Sequence, residues 1–518
     1  MPNPMEKLAN ALEALKRLQE EGRSAIRAKD LKRTEREILL KNGFIQMVMK
    51  GWYVPCRPDD RPGDTTPWFS AFWEFCADYG NDRLGDQWCL SPEQSILIHV
   101  GNRTVPKQLI IRNPRGGNKP ITLIHGTSIF DFRGSIPAPE AIVIRDRLRV
   151  YDLPNALIDA SATFYSRNPT DARAALAAIS NASILLPKLL DGGRSTIAGR
   201  LCGALRNIGR DEIADEIKTT MKSVGYEISE TDPFAEKIEW NTRQKSESPR
   251  AARLRLMWRT MREEIAGKFP LPPKRILPPE EYLQQVEEAY VRDAYHSLSI
   301  EGYQVSPELI EKVRSGKWNP EASEEDRKQR DALAARGYFQ AFESVKKSLS
   351  QVLNGDNAGK VASKDHNGWY RELFVPLVNA GLQNAGSLAG YRSGRVLIKG
   401  SRHIPASGDA VGDLMPVFFE LLENEEDAGT RVVLGHFAFV YIHPFSDGNG
   451  RTARFLMNIM LASGGFPWTI IPVDQRAEYM HALEVASVEQ NILPFTRFLA
   501  PLVQGQMNGE DLAKLPGT

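Results

Sequence analysis

Leu8, Leu12, Leu15 and Leu18 recur at three- and four-residue spacing near the start of the chain, and this pattern predicts an amphipathic helix. A second short helix is expected over 26–31. Thr34-Glu35-Arg36-Glu37 then reads as a capping box that opens a third helix, which runs to Leu40 and stops at Gly43. The apolar runs 44–48 and 51–54 read as a hairpin, so residues 1–57 predict a winged helix-turn-helix. From 58 to 226 the pattern is mixed. Short apolar runs at 108–112, 121–125 and 141–145 predict strands, and the Ala/Leu/Ile-rich stretches 170–190 and 195–224 predict helices. Residues 227–250 are polar and read as a linker, followed by a basic helix over 251–267. Pro270, Pro272, Pro273, Pro278 and Pro279 then make a stiff segment, either a spacer or a proline ligand for a partner domain. A helix is expected over 280–299, and nearly everything after it to about 502 is helical. The expected exceptions are a Gly/Asn/Asp-rich loop at 354–368 and a β-hairpin near 395–404. The predicted fold class is therefore multidomain and mostly α. It comprises a winged helix (1–57), a mixed α/β domain (58–226), a linker with a Pro-rich lead-in (227–279) and an all-α domain with a β-hairpin (280–505).

The chain has 518 residues, too many for one ordinary core, and two to four domains are expected. Hydrophobic residues at 42% and charged residues at 25% exclude wholesale disorder. Lys and Arg total 66 against 65 Asp and Glu, so the molecule as a whole does not coat polyanions. Residues 1–57 depart from that balance, with twelve Lys/Arg against seven Asp/Glu, or 12 − 7 = +5. Arg27, Lys29, Lys32, Arg33 and Arg36 cluster around the turn and third helix, the footprint of phosphate contacts if residues 23–54 bind DNA. A small helical domain that binds another protein is the other reading. No run approaches the roughly 18 apolar residues of a membrane span, and residues 1–7 lack a secretory pattern. The four cysteines, Cys56, Cys76, Cys89 and Cys202, form no CxxC pair, so neither a disulfide framework nor a zinc site is expected. A soluble, cytoplasmic protein follows from this, and a homo-oligomer stays open.

The chemistry concentrates at His443-Pro444-Phe445-Ser446-Asp447-Gly448-Asn449-Gly450-Arg451-Thr452-Ala453-Arg454, a loop between two apolar helices. Gly448, Asn449 and Gly450 let the backbone turn so that N–H groups face an anion at a helix N-terminus. Arg451 and Arg454 share one face of the next helix and suit a polyphosphate. Asp447 is a hard oxygen ligand for Mg²⁺. His443 can take a proton from an attacking hydroxyl, and Phe445 anchors the loop. These residues alone reach Mg²⁺-dependent transfer from a nucleotide to a hydroxyl or to water. His436 lies seven residues before His443 on the same helical face, but no third zinc ligand is spaced with them.

The same line resembles the Fic family signature HxFx[D/E]GNGRxxR without a departure, and the likeness extends over about 280–503. The resemblance implies that His443 is the general base and Asp447 binds Mg²⁺. It implies that Phe445, Gly448, Asn449 and Gly450 hold the nucleotide, with Arg451 and Arg454 at its β/γ end. Tyr479, with Arg476 and Leu483, is similar to the family's late helix beside the nucleotide. Ala389-Gly390-Tyr391-Arg392, residues 396–400 and Ile404-Pro405 are similar to the approach to the family's flap hairpin. The implied activity is AMP transfer from ATP to a Ser, Thr or Tyr hydroxyl of a target protein. Upstream, Ser297-Leu298-Ser299-Ile300-Glu301-Gly302 resembles the family's inhibitory motif, on a helix over about 280–301. There Glu301 would bind Arg454, Ser297 would steady the Glu301 carboxylate, and Gly302 would close the helix. Residues 1–225 resemble the AbiE-type antitoxin and regulator family through 90–93, 131–133 and 150–157. Two other functions stay open: a transcriptional regulator with the Fic domain as nucleotide sensor, and a phosphodiesterase that removes AMP.

Overall fold

Ala11, Leu15 and Leu18 are buried on α1 (Pro4–Glu20), which Asn3 caps while Glu6 accepts from the Asn3 N–H. A small antiparallel sheet follows, ordered β1-β3-β2 from β1 (Ile26–Arg27), β2 (Ile45–Met49) and β3 (Trp52–Pro55), with α2 (Arg33–Lys41) between its first two strands. The helix expected over 26–31 is not formed. Ile26 pairs with Tyr53, and Arg27 and Asp30 close a turn in which the Asp30 carboxylate accepts from Arg27 N at 2.8 Å. A six-residue helix has too few hydrogen bonds to outcompete that local turn. The box at the start of α2 lies two residues earlier than expected, with Glu35 accepting from Lys32 N.

The chain divides into two units, residues 1–253 with 397–404, and residues 254–396 with 405–518. This computed structural model describes residues 3–58, 63–234, 247–318, 330–510 and 512–516. The middle of the expected linker lies outside them. In the first unit, α3 (Thr66–Leu84) carries Trp68, Phe72 and Phe75 into one core with Val48, Trp52 and Val54. Beyond β4 (Cys89–Leu90) and α4 (Pro92–His99), a mixed sheet is ordered β4-β5-β7-β6, from β5 (Gln108–Asn113), β6 (Lys119–Thr122) and β7 (Ser128–Arg133). β5 and β7 run parallel, and β8 (Ile142–Arg145) pairs with β9 (Leu148–Tyr151). A helical layer completes the unit: α5 (Leu153–Asp159), α6 (Ala162–Arg167), α7 (Pro169–Ala177), α8 (Leu186–Leu190), α9 (Ser195–Asn207) and α10 (Asp211–Ser223). The two long helices expected here are each divided, one by the irregular turns before Pro187 and one at Gly209, whose φ is +69°.

The chain passes along α11 (Pro249–Ile265) into the second unit, whose helices carry the motif. These are α12 (Pro279–Ile300), α13 (Pro307–Arg314), α14 (Arg330–Leu353), α15 (Ala358–Asn379), α16 (Gly408–Asn424), α17 (Ala428–Ile442), α18 (Asn449–Ser463), α19 (Arg476–Glu489) and α20 (Leu493–Met507). Helix accounts for 59% of the described residues, in line with the mostly α expectation. The loop expected over 354–368 is only four residues long. Asn357 caps α15, and Gly359 stands in its first turn, where a Cβ would strike the backbone of Glu423. The hairpin expected near 395–404 is not formed either. Gly400, at φ +74°, and Pro405, which has no N–H, interrupt the ladder a hairpin needs. The backbone instead bonds within the first unit, with Gly400 N donating to Thr66 Oγ1 and Val105 N to Arg402 O.

Candidate active site

The apolar helix α17 ends where His443 takes up a left-handed conformation, φ 55° and ψ 60°. Histidine tolerates this region better than most side chains, but the turn must be held by its surroundings. Gly448, also left-handed, caps α18, and a Cβ on it would strike Phe374. Between these two points Asn449 clamps the loop: its side-chain carbonyl accepts from Phe445 N and its amide donates to Phe445 O, both at 2.9 Å. The Phe445 ring is fully buried and stacks on Tyr370 at 3.8 Å between centroids. Phe445 and the Asn449 side chain therefore shape the loop, while the backbone N–H groups of α18 face its mouth.

His443 Nδ1 lies 3.1 Å from Val440 O. A carbonyl only accepts, so Nδ1 carries the proton and Nε2 keeps a lone pair for a hydroxyl. Burial, with a smaller contribution from the Arg392 charge, lowers the imidazole pKa to about 4 against Glu301 and Asp447, which raise it. The ring is therefore neutral at pH 7 and poised as a base.

Arg451 is 1% exposed, its guanidinium lying over Phe374 and Tyr303. Its Nε and Nη1 have no hydrogen-bond partner among the described residues. Unfilled donors on a buried cation call for an anion. Arg454 is 4% exposed and is engaged through two of its nitrogens: Nε donates to Ser297 Oγ and Nη2 to Ser297 O, each at 2.9 Å, and Nη2 pairs with Glu301 Oε1 at 2.7 Å, while Nη1 has no hydrogen-bond partner among the described residues. Burial would raise the Glu301 carboxyl, but Arg454, Arg451 and Arg476 outweigh it and hold the pKa below the usual range. The carboxylate lies against Gly450, where any Cβ would collide with Oε1. It thus fills the anion seat at the start of α18. Ser297 does not steady Glu301 as expected; it grips Arg454. Gly302, at φ +93°, closes α12 as expected, and Arg476 Nε caps Ile300 O at 2.6 Å.

Asp447 is more than half exposed, accepts from Gly448 N at 2.6 Å and lies 3.8 Å from Arg451. Among the described residues no three acid, His or Cys side chains gather to hold a metal by themselves. One carboxylate beside an anion seat fits Mg²⁺, which takes one or two protein oxygens and completes its shell with phosphate and water. Tyr479 is 1% exposed and its hydroxyl donates to His436 Nε2 at 2.7 Å, below Arg454. It supports the arginine from behind. His436 is a core residue whose pKa burial lowers to about 3.

Asp293 escaped the sequence reading, and Arg392 was read only as part of the flap approach. Asp293 is buried, accepts from Tyr338 at 2.6 Å and is pushed up to about 6 by burial. Its signal was available: Asp293, Ser297 and Glu301 recur every four residues along one face of α12. Arg392 donates to the carbonyl of His443 at 2.7 Å, and nothing in its local sequence marks it as buried.

Residues 371–461 match the Fic/DOC family. The protein adenylyltransferase Fic of Drosophila virilis is 31% identical over 220 residues, 41% of this chain and 41% of that protein. Its Drosophila mojavensis counterpart is 32% identical over 220 residues, 41% and 40% of the two chains. The chain thus spans about two-fifths of the length of these relatives. A solved structure of Fic-1 (residues 134–508) from C. elegans is similar at 22% identity and a TM-score of 0.36, over 66% of this chain and 94% of that one. The matched span includes the whole of the turn from His443 to Arg454, and this chain carries a Fic/DOC family domain.

Proposed function

We propose that this chain is a self-inhibited protein adenylyltransferase, moving AMP from ATP to a Ser, Thr or Tyr hydroxyl of a target protein and releasing pyrophosphate. One observation carries the reading: the Glu301 carboxylate occupies the anion seat of α18 and pairs with Arg454 beside a base that is already neutral. His443 Nε2 accepts the proton of the attacking hydroxyl, and the oxygen then bonds to the α-phosphorus. The backbone N–H groups of Asn449 and Gly450 and the free donors of Arg451 hold the phosphates. When Glu301 withdraws, Arg454 receives the terminal phosphate. Asp447 would hold Mg²⁺ together with those phosphates; when bound, the metal neutralises phosphate charge. A carboxylate at this place also suits the reverse task, orienting a water that removes AMP from a target.

The regulatory part of the proposal concerns residues 23–54. The sheet order β1-β3-β2 with α1 and α2 supports a winged helix of the AbiE-type antitoxin kind, and Lys32 and Arg33 lie exposed on α2 for DNA phosphates. The test of the catalytic reading is incubation of the whole chain with α-labelled ATP, Mg²⁺ and lysate. Label on protein that disappears in His443→Ala supports it. Label independent of His443, or loss of label from a pre-modified target as the sole reaction, contradicts it.

A further inference from the structure

Arg392 is a buried cation, 7% exposed, that meets carbonyl oxygens; among the described residues no carboxylate pairs with it. Nε donates to His443 O at 2.7 Å, Nη1 to Gly394 O at 2.8 Å, and Nη2 to Ala406 O at 2.6 Å and Ile442 O at 3.3 Å. Its backbone N–H donates to Pro444 O at 2.9 Å. Burial brings its pKa down to about 10, which leaves it charged at pH 7. One side chain therefore holds the end of α17, the turn at His443 and both ends of the loop 393–406.

The middle of that loop, residues 397–404, belongs to the first unit. There Gly400 N donates to Thr66 Oγ1 at 2.8 Å, Arg402 Nε to Val105 O at 2.8 Å, and Val105 N to Arg402 O at 2.9 Å. Ile404 packs against the core that contains Trp68 and Phe72. The loop is a strap, gripped at its centre by the first unit and buckled at its two ends by the arginine that holds His443.

We propose that Arg392 is a positioning residue for His443, and that the strap makes this positioning depend on the first unit. The proposal rests on the reading of His443 as the base. The left-handed turn at His443 persists only while neighbours over-determine it, and Arg392 supplies the donors for the two carbonyls at that turn. A shift of about 1 Å in a reacting group can cost about 100-fold in rate. The charged groups that face the imidazole are Arg392, Glu301 and Asp447, and of these Arg392 favours the neutral ring.

The test uses the whole chain in three variants. Arg392→Met removes donors and charge; Arg392→Lys keeps the charge without the fork; Arg402→Ala with Thr66→Val releases the grip on the strap. The His443 imidazole is titrated without nucleotide by NMR on histidine-labelled protein, its signal identified by its loss in His443→Ala. Label incorporation from α-labelled ATP is measured in a Glu301→Gly background. In Arg392→Met the His443 pKa should rise and kcat should fall by roughly 10- to 100-fold, with the KM for ATP unchanged. Arg392→Lys should restore the pKa but not kcat. Releasing the grip should speed amide exchange over 397–404 and lower kcat a few-fold, and should cause no further loss when it is added to Arg392→Lys. A folded Arg392→Met protein with unchanged His443 titration overturns the positioning role, whatever the activity reading yields. Unchanged exchange over 397–404, or faster exchange with unchanged kcat, overturns the role of the strap. If Glu301→Gly is inactive while the pKa still rises, the function reading fails and the positioning stands.

Discussion

Two regions of this molecule are rich in positive charge, and they are built in opposite ways. Along residues 23–54 the cations lie near the surface and have acids of their own: Arg27 with Asp30 and Asp82, Lys29 with Asp82, Arg33 with Glu37. Around the motif the cations are buried. Arg451 keeps two N–H groups unfilled, and the acid on Arg454 comes from a different helix, 153 residues earlier in sequence. Exposed ion pairs are worth about 0–1 kcal/mol each, so the first region can exchange its acids for phosphates at little cost and with little selectivity. A buried cation with unfilled donors is costly unless an anion arrives. Charge density marks a surface; at the motif, unfilled donors on a buried cation lie beside an anion seat.

The comparison can be broken at several points. Asp447→Ala should have the largest effect, abolishing transfer at ordinary Mg²⁺ while leaving the unfolding temperature unchanged, because the side chain is exposed and packs against little. Full activity in that variant would remove Asp447 from the site. Arg451→Ala should weaken ATP binding by roughly 10-fold or more, since a charge-assisted hydrogen bond contributes about 1.5–3 kcal/mol; calorimetry in a Glu301→Gly background reads this directly. The pH dependence should be flat on its acid side. A base with its pKa lowered to about 4 is neutral throughout the range above about pH 5, so transfer should decline only as pH falls toward 4. A decline centred near the ordinary histidine value of about 6.5 would contradict the burial argument. The smallest effect is expected at the other region. Lys32→Ala with Arg33→Ala should flatten the salt dependence of DNA binding by up to roughly two units of slope, measured by gel shift on the chain's own upstream DNA, and should leave transfer intact.

What the sequence revealed follows from how local each feature is. The loop from His443 to Arg454 is continuous in sequence, so its place between two helices was readable from the pattern, and the helix over 280–299 was placed to within a residue at each end. The pairing of Glu301 with Arg454 became legible through a second motif on α12. Features that depend on distant partners were not legible. Ser297 meets Arg454 rather than the neighbouring carboxylate. Tyr479 turns to His436, and the segment near 395–404 bonds with Thr66 and Val105 rather than with itself. Arg36 illustrates the same limit, since its guanidinium donates to Ala28 O at 2.8 Å and lies over Tyr53 instead of standing free. β7 also escaped, although it pairs antiparallel with β6 across the short turn 123–127 as well as parallel with β5.

The central claim is that Glu301 holds the anion seat of α18 against the nucleotide, and one variant tests it most directly. Glu301→Gly removes the carboxylate, frees Arg454 and leaves the loop from His443 to Arg451 untouched. Two sites coupled in this way typically influence each other by about 1–3 kcal/mol, or roughly 5- to 150-fold in affinity. Purified Glu301→Gly protein with α-labelled ATP and Mg²⁺ should therefore incorporate label faster than wild type by a factor in that range, and Glu301→Gly with His443→Ala should incorporate none. A Glu301→Gly protein that binds ATP yet labels no faster than wild type would contradict the account.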